Sequence, residues 1–273
     1  VADVLEFTIL GCGSSGGVPR ADGNWGACDP DDPRNRRSRC SLLVRRKNDV
    51  GPESWTTILI DTSPDLQRQT SGAGARRLDA VLLTHDHADQ VHGIDDVRAF
   101  AINQHSRIPC YMDEATAATM RRRFSYIFKG EGGYPAICDP MDMPPLGAPW
   151  RVDGPSGPIP ILAFDQDHGG VRSLGFRFGD VGYCSDVVRL PNSAMEALAG
   201  VEVLIVDALR YRPHPTHATV DQALVWIAAL KPKRGILTNM HIDLDYATLA
   251  AELPEGVEPA YDGLRFTIAM LDL

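Results

Sequence analysis

The chain has 273 residues, and 27 Lys and Arg against 36 Asp and Glu leave a formal net charge of −9. Hydrophobic residues at 44% and charged residues at 23% are ordinary for a globular protein and exclude disorder as the main state. The length suits a single domain over residues 1–273, and the acidic balance argues against a surface built mainly to hold nucleic acid.

Leu5–Leu10 reads as a strand running into a glycine-rich loop, Gly11-Cys12-Gly13-Ser14-Ser15-Gly16-Gly17-Val18-Pro19. A polar segment rich in Asp, Pro and Arg follows to about Arg39, in the manner of a long functional surface loop. Ser41–Arg45 and Thr56–Ile60 are strands, and Ser63-Pro64 starts a helix with Ser at the cap and Pro just inside. Asp79–Thr84 is a buried strand, Asp95–Gln104 a helix, Ile108–Met112 a strand and Glu114–Phe124 a helix. Gly130–Gly157 is dense in Gly and Pro and reads as irregular. Strands resume at Ile159–Phe164, Ser173–Phe178, Gly182–Ser185 and Val203–Asp207. An amphipathic helix over Val220–Leu230, a strand at Arg234–Thr238, a helix at Tyr246–Leu253 and a strand at Leu264–Met270 complete the chain. Hairpin strands mixed with strand–helix units predict an α/β fold of two sheets packed face to face with helices outside.

No stretch of roughly 18 apolar residues suggests a membrane span. The opening Val1-Ala2-Asp3-Val4-Leu5-Glu6 lacks a signal-peptide pattern. Cys12, Cys28, Cys40, Cys110, Cys138 and Cys184 are scattered without a C-x-x-C pair, which predicts buried thiols and a cytoplasmic location.

The strongest local signal is Thr84-His85-Asp86-His87-Ala88-Asp89-Gln90, directly after a strand. Two imidazoles two residues apart, followed by a carboxylate, suit a transition metal. Further polar groups recur after later strands: His168, Asp186 and His241. Singly they read as a turn residue, a helix cap and a surface histidine. Parallel strands would bring them to one edge, where open sheets place ligand sites.

Taken together, these residues make the sequence resemble the metallo-β-lactamase-fold hydrolases, an αββα four-layer sandwich, over nearly the whole chain. The family pattern H-x-H-x-D-H, a later His, a bridging Asp and a final His falls on His85, His87, Asp89, position 90, His168, Asp186 and His241. The opening Gly11–Pro19 resembles the phosphodiesterase branch, which includes ribonuclease Z and a phosphoribosyl cyclic phosphate phosphodiesterase. The second is the closer in length and in lacking a tRNA-binding arm.

The resemblance implies two divalent metal ions, Mn2+ or Zn2+ with Fe2+ as a further candidate, and a metal-bridging hydroxide attacking phosphorus. On it, His85, His87 and His168 hold one ion, Asp89 and His241 the other, and Asp186 bridges. Position 90 is Gln where the family usually has His, a weaker and harder ligand that predicts lower occupancy or a preference for manganese or iron. One local thiol, Cys28, cannot build a cysteine-rich cluster, so no structural zinc is expected.

His217, in His214-Pro215-Thr216-His217, matches the branch's His-x-Thr motif and is assigned, with Asp89, to catalysis; capping the following helix is its alternative role. Ser14, Ser15, Gly16, His214 and His217 are the expected substrate contacts, the glycine loop cradling phosphate. Asp61 either orients a metal-bound histidine or caps a turn. The arginines at 34, 36, 37 and 39 are solvated or steer a phosphate inward.

The reading that results is a phosphodiesterase acting on a small cyclic or nucleotide-like phosphate ester, with a homodimer implied by the resemblance. The alternatives are a ribonuclease Z-like nuclease, against which the net charge of −9 counts, and a non-catalytic metal-binding accessory protein of cofactor biosynthesis.

Overall fold

Side chains alternate along a strand, and this sorts the apolar residues into two cores. From the strand Ser41–Arg46, Leu42 and Val44 point one way and Leu43 the other; Ile58 and Ile60 part likewise from Leu59. In the computed structural model, which describes residues 4–270, the first set meets Ile161, Phe176 and Tyr183 from a second sheet. The other set meets the helices outside.

The first sheet takes β1 (Val4–Gly11), β2 (Ser41–Arg46), β3 (Thr56–Ile60), β4 (Ala80–Leu82), β5 (Ile108–Met112), β6 (Cys138–Asp142) and the last strand, β14 (Arg265–Ala269). Their order is β14-β1-β2-β3-β4-β5-β6. The second takes β7 (Pro149–Val152), β8 (Ile159–Asp167), β9 (Arg172–Phe178), β10 (Val181–Cys184), β11 (Val203–Asp207), β12 (Arg234–Thr238) and β13 (Val257–Pro259), ordered β13-β12-β11-β10-β9-β8-β7. Helices α1 (Leu66–Gly72), α3 (Arg98–Gln104) and α4 (Glu114–Arg123) contribute Leu66, Phe100 and Met120 to the outer core of the first sheet. On the second, α6 (Asn192–Ala197), α7 (Val220–Leu230) and α8 (Tyr246–Glu252) supply Ala194, Trp226 and Leu249. Two short helices, α2 (Ala88–Val91) and α5 (Ser125–Lys129), complete the set.

Strand direction is what positions the site. β3 to β6 are parallel, and β1 runs with them because both β1 and β3 are antiparallel to β2. β10, β11 and β12 are parallel, and β8 runs with them because both β8 and β10 are antiparallel to β9. The sheets are stitched together at these exits: Met240 N–H donates to Cys12 O at 2.8 Å, and Leu174 N–H to Thr84 O at 3.0 Å.

Several expectations need correction. The supposedly irregular Gly130–Gly157 contains β6 and β7. The elements α2, α5, α6 and β13 went unassigned. α1 starts later than expected, with Asp65 at its N-cap; the Ser63 hydroxyl accepts from Asp65 N–H at 3.2 Å in the turn leading into it and donates to Gln69 Oε1 at 2.8 Å. No described helix is long and apolar enough to cross a membrane.

Candidate metal centre

β4 is buried on both faces and ends at Leu82, so the chain leaves it as a loop pinned from below. Thr84 does the pinning. Its N–H donates to Asp61 Oδ1 at 2.8 Å, and its hydroxyl lies 2.9 Å from Asp61 Oδ2 and 2.9 Å from His85 Nδ1. With Asp61 ionised, the hydroxyl donates to the carboxylate and accepts from Nδ1–H of His85. That places the His85 proton on Nδ1 and leaves Nε2 as a bare lone pair. Asp61 therefore orients His85 through Thr84 rather than by direct contact. Burial pushes Asp61 up to about 8 against these hydrogen bonds, and a cation in the cluster would work the other way.

His85 Nε2 is buried without a hydrogen-bond partner and lies 3.4 Å from Asp186 Oδ2. His168 Nε2 lies 3.8 Å from the same oxygen and 3.3 Å from His87 Nδ1. The other nitrogen of His168 donates to Thr216 O at 2.7 Å, which fixes its tautomer. Gly169 permits that approach, since a Cβ there would stand 2.4 Å from Pro215 O, and its backbone is left-handed at φ 62. One ligand atom from each of His85, His87, His168 and Asp186 lies within 4.8 Å of all the others. Three imidazoles and a carboxylate, one nitrogen of them orphaned, fit a divalent transition metal.

The electrostatics agree. Burial, then the neighbouring His87, His168 and His217, hold His85 far below the usual histidine range. Burial and His217 hold His168 down to about 4. Both rings are thus neutral and able to ligate. Burial, then the charge of Asp89, raises Asp186, and a cation held in the cluster would act in the opposite sense.

His217 is the opposite case. Its Nδ1–H donates to Asp207 Oδ2 at 2.7 Å. Burial disfavours the charged ring, but the Asp207 hydrogen bond and charge, with Asp186 and Asp89, outweigh it and raise the ring to about 9. The Asp207 contact thus favours the protonated ring, which packs 4.7 Å, centroid to centroid, from His168. His217 does not cap α7: Thr219 does, accepting from Gln222 N–H at 3.1 Å. His214 packs beside it at 5.1 Å, with Nδ1 accepting from Thr216 N–H at 3.3 Å.

The remaining expected ligands are not gathered with those four. Asp89, on α2, accepts from Gln90 Nε2 at 3.3 Å. Gln90 is buried with Oε1 unpartnered. His241 Nε2 is engaged by the guanidinium of Arg20, and its Nδ1 lies 3.2 Å from Asp243 Oδ2. His92 turns away to pack on Phe124.

The glycine loop is narrower as a cradle than expected. The N–H groups of Gly13, Ser14, Gly17 and Val18 all donate to carbonyls of the protein, and Ser14 is buried. Ser15 and Gly16 do line a cavity of about 540 Å³ with Arg20, Arg39 and Asp89. The arginine run beside it is largely engaged elsewhere: Arg34 pairs with Asp32, Arg39 with Asp65, and Arg37 is buried on Asn35 and the His241 carbonyl.

Sequence reasoning missed Thr84, Asp207, Asn239 and Arg20. Asp207 had a readable signal, a carboxylate closing the apolar strand Val-Leu-Ile-Val at the same edge as Asp186. Asn239, one residue after β12, donates to Asp186 Oδ1 at 2.8 Å.

Residues 56–242 match the Beta-lactamase superfamily domain. A solved structure described as a new diphosphatase from the PhnP family is 32% identical, with a TM-score of 0.84, over 96% of this chain and 97% of that one. An octanoyltransferase from Porphyromonas gingivalis (strain ATCC BAA-308 / W83) is 33% identical over 97% of this chain and 52% of that protein. A ribonuclease Z from Bradyrhizobium sp. (strain ORS 278) is 33% identical over 63% of this chain and 50% of that protein. The chain thus spans about half the length of these two curated relatives. With paired mixed sheets, flanking helices and a histidine–aspartate cluster at the strand exits, the chain has the metallo-β-lactamase fold and belongs to the beta-lactamase superfamily.

Proposed function

We propose that this protein is a metal-dependent phosphodiester hydrolase acting on a small cyclic or nucleotide-like phosphate ester. The observation that carries the reading is His217, hydrogen-bonded to Asp207 at 2.7 Å, packed beside a cluster of three imidazoles and a buried carboxylate. A divalent ion in that cluster would lower the pKa of water and offset charge on phosphoryl oxygens. His85, His87, His168 and Asp186 would hold it. His217, locked by Asp207, is placed to give its Nε2 proton to the departing ester oxygen. Ser15 and Gly16 in the adjoining cavity would meet the remainder of the substrate.

Acyl transfer through a thiol, one route the octanoyltransferase likeness could suggest, finds no support in the thiols. All six cysteines are buried, and burial raises Cys12, Cys28, Cys40 and Cys184 away from the thiolate. The test is manganese-dependent hydrolysis of bis-p-nitrophenyl phosphate, 2′,3′-cyclic nucleotides and precursor tRNA, with His87→Ala as control. Cleavage of the small esters, lost in the variant, is the expected result. Cleavage of RNA alone would favour the nuclease reading, and full metal occupancy without any cleavage would favour an accessory protein.

A further inference from the structure

We propose that Arg20, in place of a second metal ion, supplies the second positive charge of this centre, so that the chain holds one divalent cation rather than two. The proposal rests on the four-residue metal set but not on the choice of substrate.

Two independent features of this chain carry it. The first is His241. A neutral imidazole has one lone pair, on the nitrogen without a proton. At Nε2 that lone pair accepts from the Arg20 guanidinium, while Asp243 lies 3.2 Å from Nδ1 on the opposite side of the ring. Nε2 cannot accept from Arg20 and ligate an ion at once. The second is position 90. Gln90 offers an uncharged amide where an imidazole would strengthen the set, and its Nε2 donates to Asp89. Its Oε1 is buried without a partner. With His241 engaged, a second ion would be left with Asp89, a share of Asp186 and one amide oxygen, a poor contest against a charged hydrogen bond.

Arg20 is suited to the substitution. A guanidinium brings a positive charge, and its planar fork matches phosphoryl oxygens. Arg20 and Asp89 line the same cavity as Ser15 and Gly16, so the charge faces the space where a substrate anion would enter.

The test reads metal, not turnover. Metal-free protein is dialysed against Mn2+, bound metal is counted per chain, and electron paramagnetic resonance distinguishes isolated from exchange-coupled ions. The wild-type protein should hold one ion with an isolated signal. Arg20→Ala should bind a second ion at least about tenfold more tightly than wild type does, whereas Arg20→Lys, which keeps the charge, should stay at one. Arg20→Ala combined with Gln90→His should hold two coupled ions. Because residue 90 is buried, the single Arg20→Ala variant decides the matter if the double variant does not fold. Two ions in the wild-type protein at affinities within about tenfold, or no gain in Arg20→Ala, would overturn the proposal.

Discussion

Replacing Asp207 by Asn isolates the charge that His217 carries. The carboxylate lies 2.7 Å from His217 Nδ1, and the ring is held at about 9 against an ordinary 6.5. That difference favours the imidazolium by about 3 kcal/mol. In the Asn variant the largest opposing contribution is gone and only the charges of Asp186 and Asp89 still work against burial, so the ring falls back toward its ordinary value. At pH 8 the protonated fraction then falls from roughly nine in ten to roughly three in a hundred, a loss of about 30-fold in the acid form. The assay is a pH–rate profile on two substrates. Bis-p-nitrophenyl phosphate releases a phenolate that needs little protonation, so its rate should change little. A 2′,3′-cyclic nucleotide releases a ribose hydroxyl, so its rate should fall about 30-fold at pH 8, with the alkaline limb moving from near 9 to below 7. Stability carries the same signature. A histidine raised on folding contributes fully below its unfolded pKa and loses that contribution as pH rises through the folded one. The wild-type protein should lose about 3 kcal/mol between pH 6 and 10 that the variant does not. An unmoved alkaline limb, or equal losses on both substrates, would refute the assignment of His217 as the acid.

Thr84→Val keeps the shape but removes the hydroxyl between Asp61 and His85. It should cost about 2–3 kcal/mol in denaturant unfolding and weaken metal binding about 10–100-fold in a chelator competition. Gly93 follows the metal-binding loop, with its N–H 2.8 Å from Thr62 O; a Cβ would stand 2.0 Å from Ser63 O. Gly93→Ala should therefore cost about 3 kcal/mol and lower the melting temperature. Chelation should destabilise the native protein, and Mn2+ at about 100 times its dissociation constant should restore about 2.7 kcal/mol, a shift that His87→Ala abolishes.

The strands that reasoning from sequence missed share one property: β6, β7 and β13 are all at sheet edges. An edge strand buries fewer side chains, so selection for alternating apolar residues is weak there, and Pro is tolerated. Cys138–Asp142 carries Pro140 and two aspartates, and Pro149–Val152 opens on a proline. Inner strands such as Thr56–Ile60 and Val203–Asp207 are buried throughout and announce themselves. The site divides along a similar line. His85, His87, His168 and Asp186 follow readable strands, so their convergence could be anticipated from parallel topology. Arg20 meets His241 across 221 residues from a loop without periodicity, and nothing in the local pattern of either points to the other.

Local geometry explains why acids and an amide occupy the exits that matter most. Asp61, Asp186 and Asn239 follow β3, β10 and β12, and all three have left-handed backbones, with φ of 59, 46 and 61. Such a turn redirects the chain within a residue or two of a buried strand. Glycine would adopt it at least cost but would bring no functional group; β-branched residues would resist it. Asp and Asn are the residues that tolerate the conformation and still present oxygen or N–H. Asp186 offers a ligand oxygen from this turn, Asn239 holds the other oxygen of the same carboxylate at 2.8 Å, and Asp61 reaches His85 through Thr84. The strain at each exit, of order 1 kcal/mol, is therefore tied to the cluster and not to the sheets. A glycine at any of the three would relieve it but leave a buried partner unpaired, a loss of about 1–3 kcal/mol that outweighs the relief, so the polar side chain at each exit serves the fold as well as the cluster.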